Sequence, residues 1–91
     1  MHFQSEKVER FIAAFDQSKE AIRMSPGCLS LRLLRDPADP CSIQTLSTWE
    51  KAEDLERYRH SQLFEDTWAK TKVLFDEKPR AYSYELLREL L

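Results

Sequence analysis

One glycine in ninety-one residues constrains this chain more than any other feature. It is Gly27, and it follows Pro26. Phosphate-cradling loops of the Walker and dinucleotide-binding kinds need several glycines at fixed spacing, so neither can be built here. Greek-key sandwiches and propellers turn tightly many times, and tight turns call for glycine, so a many-stranded β architecture is disfavoured as well. The length fits one domain. A chain this short buries only about 60–65% of its unfolded surface, and so small a core is often completed by a disulfide, a metal or a partner subunit.

Charge excludes further classes. Fourteen Lys and Arg oppose sixteen Asp and Glu, for a net charge of −2. Residues 1–45 hold six of each sign and residues 46–91 hold eight basic and ten acidic side chains, so neither half offers a nucleic-acid face. No apolar run approaches the roughly 18 residues of a membrane span. Glu6 and Lys7 interrupt the N-terminus before the apolar region of a signal peptide can form. The chain reads as soluble and cytoplasmic.

Hydrophobic periodicity gives the elements. Val8, Phe11, Ile12, Phe15 and Ile22 repeat at helical spacing, broken only by Lys19. They predict a helix over about Glu6–Met24, capped by Ser5 and ended by Pro26-Gly27. Leu29, Leu31 and Leu33 then alternate with Ser30 and Arg32, and a second alternating run from Ser42 places Ile43, Thr45, Ser47 and Trp49 on one face. The five residues Asp36–Pro40 join them as an antiparallel hairpin. Ala52, Leu55 and Tyr58 start a second helical region from Glu50. Ser61 looks like a fresh cap, predicting a break at Arg59–Ser61, and Phe64, Trp68, Thr71 and Phe75 stripe the segment beyond it up to Pro79. Ala81–Leu87 alternates like a strand, while residues 86–91 fit either a strand or a short helix; two strands alone cover two amphipathic helices poorly, which favours the strand. His2 and Phe3 read as the tail of a clipped first strand. The resulting order, β–α–β–β–α–β, predicts a ferredoxin-like α+β domain over residues 1–91. Its outer sheet face would be left bare in a monomer, which predicts a homodimer through that face.

The cysteines predict no staple. Cys28 and Cys41 open the two hairpin strands and lie roughly 20 Å apart at strand rise, beyond the about 7 Å that a disulfide spans. His2 and His60 stand far from each other and at no metal-ligand spacing, so no metal site is expected.

The groups suited to chemistry are Trp49, Tyr58, His60, Phe64 and Trp68. The aromatic ones sit on faces turned toward the sheet and would wall a pocket between sheet and helices, or else simply fill core. Tyr58 or His60 would handle a proton; His60 titrates near neutral pH, although its charged surroundings, Glu56-Arg57-Tyr58-Arg59, suit a solvated corner equally well. Arg32 lies on the strand face opposite the leucines, as an exposed charge or a pocket anchor.

The quoted residues also carry a resemblance. Ser25–Pro40 reads SPGCLSLRLLRDPADP, Trp49-Glu50 follow eight residues later, and Lys51–Phe64 reads KAEDLERYRHSQLF. This resembles the antibiotic biosynthesis monooxygenase superfamily of dimeric α+β barrel proteins, in which a P-G-C strand opening, a D-P hairpin and a W-E-S-x-E-A-L…H-x-x-S-x-x-F run recur. The likeness extends over nearly the whole chain and is strongest at residues 25–75. It implies a homodimer of ferredoxin-like protomers, each with a pocket between sheet and helices. It also implies oxidation of phenolic, polyketide-like molecules by O₂ without metal or flavin, so no cofactor. Ser61 and Phe64 match the family pattern. Lys51 replaces the usual capping Ser, and Tyr58 stands where many members have His. In the haem-degrading branch the proximal histidine falls at Trp68 and the catalytic Asn lies in a first strand mostly missing here, so haem degradation is disfavoured. Members usually carry a longer first strand, so Met1 is expected to start inside it. The resemblance implies a cofactor-independent monooxygenase with Tyr58 and His60 as proton-handling residues and Trp49, Phe64, Trp68 and Arg32 lining the pocket. The alternatives are a non-catalytic dimeric binding or stress-related module and haem binding through His60.

Overall fold

The structure is a computed structural model that describes residues 1–75 and 78–91. A 3₁₀ turn at Ser5–Lys7 leads into α1 (Val8–Arg23). Strands β1 (Cys28–Asp36) and β2 (Asp39–Trp49) form the hairpin, and α2 (Ala52–Arg59), α3 (Gln62–Thr71) and a 3₁₀ turn at Lys72–Leu74 follow. No helix among the described residues is long and apolar enough to cross a membrane.

Helix α1 forms because its apolar residues recur at helical spacing. Val8, Phe11, Phe15 and Ile22 are buried, and Ser18 occupies the stripe where Lys19 would have interrupted it. The Ser18 hydroxyl satisfies itself on the Ala14 carbonyl at 3.2 Å. Ser5 does not cap the helix: Gln4 precedes the first turn without a side-chain bond, and the Ser5 hydroxyl turns to Glu6 instead.

Gly27 then turns the chain from α1 into β1. The Cys28 N–H donates to the Ser25 carbonyl at 3.0 Å, with Pro26 and Gly27 between and Gly27 at φ 85°. This fits a type II turn, whose third residue needs positive φ. The Gly27 carbonyl accepts from the Glu50 N–H at 2.8 Å, tying the start of β1 to the end of β2.

The hairpin is tighter than the five-residue loop expected from sequence. Asp36 pairs with Asp39, leaving Pro37 and Ala38 as the turn. The Asp36 carboxylate accepts the Ala38 N–H at 2.9 Å and closes it. A register irregularity between Cys28 and Ser30 corrects the face assignment as well. The bulge turns Leu29 outward, where it is exposed, and buries Cys28 in its place. Beyond it the alternation holds: Leu31 and Leu33 pack on the core, while Arg32 is exposed and opposite Leu46.

The N-terminal residues expected to be the tail of a strand form two bridges. His2 pairs with Ser42 and Phe3 with Phe75, both antiparallel, and the Phe3 N–H donates to the Cys41 carbonyl at 3.0 Å. Strands β1 and β2 thus form a two-stranded antiparallel sheet, and the isolated bridges continue the pairing from β2 through the N-terminal residues to Phe75. This is the ferredoxin-like α+β arrangement. Its core is Phe3, Val8, Phe11, Phe15, Ile43 and Leu74, with Phe3 and Ile43 fully enclosed.

The C-terminal expectation fails. Helix α3 ends at Thr71 rather than near Pro79, and residues 78–91 carry no regular secondary structure. Phe75 takes the sheet position beside Phe3 before residues 81–87 are reached. The alternating run at Ala81–Leu87 pairs with no strand among the described residues. Tyr82, Tyr84, Leu86, Leu87, Leu90 and Leu91 are all exposed.

Both cysteines are free, Cys28 buried and Cys41 partly so. Cys28 pairs with Trp49 at the end of the hairpin away from Cys41.

Candidate functional site

Two local signals position the candidate site. Lys51 precedes α2 without a side-chain cap, whereas the Ser61 hydroxyl accepts the Phe64 N–H at 3.1 Å and starts α3. The corner between them turns the chain so that Tyr58 near the end of α2 meets Phe64 in the first turn of α3. The resulting ring contacts are continuous. Trp49 stacks on Tyr58 at 5.3 Å between centroids, Tyr58 meets Phe64 edge-on at 5.3 Å, and Phe64 lies parallel to Trp68 at 6.4 Å. Trp68 continues to Phe75 at 5.4 Å and Phe75 to the buried Phe3 at 5.1 Å.

Within this arc the sequence-predicted residues Trp49, Tyr58, Phe64 and Trp68 come together. The Trp49 indole N–H is already bonded to the Ser47 hydroxyl at 2.9 Å, so its role is a ring face. Trp68 is 37% exposed and forms the outer end of the four. Tyr58 is the titratable group among them. Burial pushes its phenol above the usual value of 10, and the nearby Cys28 adds to the rise. It is a neutral hydrogen-bond donor at neutral pH. Burial likewise pushes the Cys28 thiol up, against the opposing pull of Arg23, so Cys28 is a protonated packing neighbour and not a thiolate nucleophile.

The other two sequence candidates lie elsewhere. His60 is exposed at the α2–α3 corner, its Nε2 3.0 Å from Glu56 Oε1. Arg32 projects from the outer face of the sheet, so it anchors nothing beside these rings. Among the described residues no three His, Cys, Asp or Glu side chains gather as a metal-binding group.

Two clefts open at other places. One of about 340 Å³ at the hairpin tip is lined by Leu34, Arg35, Asp36, Pro37, Ser42 and Gln44. The other, of about 350 Å³, lies between the second half of α1 and β1. Neither is lined by the four rings, which pack on one another. Sequence reasoning missed the second cleft and missed Cys28 as the neighbour of Tyr58. The hairpin register carried a signal for the latter, since it sets Cys28 opposite Trp49.

The family model described as antibiotic biosynthesis monooxygenase matches residues 1–70. The chain belongs to the antibiotic biosynthesis monooxygenase family. Solved structures agree on the fold. A candidate antibiotic biosynthesis monooxygenase from Bordetella bronchiseptica superposes with a TM-score of 0.83 at 20% identity, over 96% of this chain and 91% of that one. Another from Deinococcus radiodurans gives 0.81 at 16% identity, over 99% and 91%. A conserved protein from Methanosarcina mazei gives 0.80 at 18% identity, over 85% and 76%. No curated protein matches the chain. The family match ends at residue 70, one residue before the end of α3 at Thr71.

Proposed function

We propose that this family member is a cofactor-independent monooxygenase acting on a small aromatic or polyketide-like molecule at the Trp49–Tyr58–Phe64–Trp68 rings. The observation that carries the reading is a half-buried, protonated Tyr58 set between Trp49 and Phe64. An acidic phenol or enol lying against the exposed edge of this cluster presents its ionised oxygen to the Tyr58 hydroxyl, and the rings stack on its plane. O₂ is the oxidant. A substrate methylene becomes a carbonyl, one oxygen atom enters the product, and the other leaves as water with the two methylene hydrogens. Tyr58 keeps its own proton and so stabilises the anion instead of generating it. His60, paired with Glu56 in solvent, takes no part at the rings.

O₂ consumption with a panel of anthrone-like phenols tests this reading. Tyr58→Phe is expected to lower turnover about a hundredfold, the loss typical of one oxyanion donor, while His60→Ala leaves it unchanged. No consumption across the panel removes the catalytic reading. The Tyr58 assignment has a second readout in the phenolate absorbance: one tyrosine ionises late in the wild type, and that step is missing from Tyr58→Phe. Because burial holds the folded-state pKa above the unfolded one, this group's contribution to stability is complete below pH 10 and is lost as the pH climbs through the folded-state value.

A binding module without catalysis is the second reading. What favours it is that no general base faces Tyr58 within the ring cluster among the described residues. Saturable binding of the same phenols without O₂ uptake identifies it.

In either case we propose that the chain self-associates through the outer face of the hairpin. Leu34 and Leu46 are both exposed there, beside Arg32 and Gln44. Sedimentation is expected to give twice the 10.8 kDa chain mass, and Leu46→Asp to return the monomer. A monomeric wild type at high concentration discards the dimer.

A further inference from the structure

We propose that the cleft between α1 and β1 is a binding site for a small aryl monocarboxylic acid, anchored by Arg23. It is independent of the monooxygenase reading, because none of its residues belongs to the ring cluster. Its volume, about 350 Å³, falls in the roughly 300–1,000 Å³ range of small-molecule sites. The lining divides by chemistry. Phe15 and Leu31 form an apolar floor that continues into the core. Met24 stands beside it, 82% exposed. A flexible thioether held in water next to an apolar floor repacks readily onto a planar ligand.

The rim carries Lys19, Glu20 and Arg23. Lys19 is paired with Asp16 at 3.1 Å on the surface, so its charge is balanced locally. Arg23 is different. Its Nη1 donates to the Cys28 carbonyl at 2.6 Å, which fixes the guanidinium at the end of the cleft with the rest of its five N–H donors uncommitted. A planar fork held in this way suits a carboxylate, which takes two parallel bonds from it. Glu20 sets the limit on charge. One fixed cation beside one carboxylate accepts a single acidic group and repels a second. The ligand class is therefore an aromatic body with one carboxylate.

Titration of the isotope-labelled full chain with naphthoate, followed by amide and indole NMR signals, tests the proposal. Naphthylmethanol serves as the neutral control and naphthalenedicarboxylate as the doubly charged one. Naphthoate is expected to bind saturably and to shift the amides of Lys19–Met24 and Leu31. It should bind at least tenfold more tightly than the alcohol and more tightly than the dicarboxylate. Arg23→Gln should erase the advantage over the alcohol, and Arg23→Lys should keep part of it. Met24→Glu changes an exposed position, so the fold survives, and the new carboxylate at the cleft mouth should weaken naphthoate at least tenfold. Equal binding of acid and alcohol overturns the proposal. So do shifts centred on the Trp49 and Trp68 indoles, unchanged affinity in Met24→Glu, and absence of saturation.

Discussion

Phe3→Ala is expected to destabilise the protein by about 3–5 kcal/mol, the cost of emptying a large aromatic site in a close-packed core. Phe3 is fully enclosed, stacked on Phe11 at 4.4 Å and tilted against Phe75 at 5.1 Å. It joins three parts of the fold: the α1 stripe through Phe11, the C-terminal sheet position through Phe75, and β2 through the bond from its N–H to Cys41. A small domain has about 5–15 kcal/mol of stability in total, so the loss takes a large share of it. Urea unfolding monitored by tryptophan fluorescence reads the effect directly. Phe3→Leu keeps most of the volume and should lose less than half as much. A Phe3→Ala midpoint close to that of the wild type would show that the N-terminal residues do not hold the core.

Gly27→Ala has the second large effect, and it has two separable causes. A residue with a side chain at φ 85° costs about 1–2 kcal/mol in the left-handed region. The added methyl also overlaps the Asp54 carboxyl group, and overpacking of this sort costs about 1–3 kcal/mol. Asp54 is only 13% exposed and is held by Arg57 at 3.3 Å, so it has little room to withdraw. A double-mutant cycle separates the two causes. In an Asp54→Ala background, Gly27→Ala should cost only the backbone part. An equal cost in both backgrounds rejects the overlap. Since Asp54 and Tyr58 lie four residues apart on one face of α2, the single variant should also loosen the Trp49–Tyr58 stack and shift the Trp49 emission.

Local features of this fold are legible in the sequence and long-range ones are not. The Ser61 break is readable because a cap acts within its own turn: the hydroxyl at one position and the amide three residues on suffice. The meeting of Tyr58, Phe64 and Trp68 follows from helical faces on either side of that break. The same periodicity separates His60 from Tyr58, since two residues along a helix differ by roughly 200° around its axis, and so the two do not share a site. The importance of Phe3 is hidden because it lies two residues from the chain start, in a window too short for any period. Only its pairing with Phe75, far along the chain, makes it central. The Ala81–Leu87 run misleads for the converse reason. Alternation marks a segment that fits a pleated surface, and says nothing of whether a sheet edge is open to receive it. The bulge at Leu29 exchanges Leu29 and Cys28 between faces, an effect of backbone register that side-chain alternation does not encode. The Arg23 cleft escapes sequence reading because its floor comes from two elements and its anchor is oriented by a carbonyl beyond the Pro26-Gly27 turn.

The Phe3–Phe75 bridge also sets a long loop that the fold has to close. Phe3 and its ring partner are separated along the chain by α1, the hairpin, α2 and α3. The ring layer that seals the core therefore closes across a loop of some seventy residues, and the entropy of that closure is lost before its contacts repay it. Pairings of such sequence separation form slowly, so a refolding chain exposes apolar surface to aggregation until this one is made.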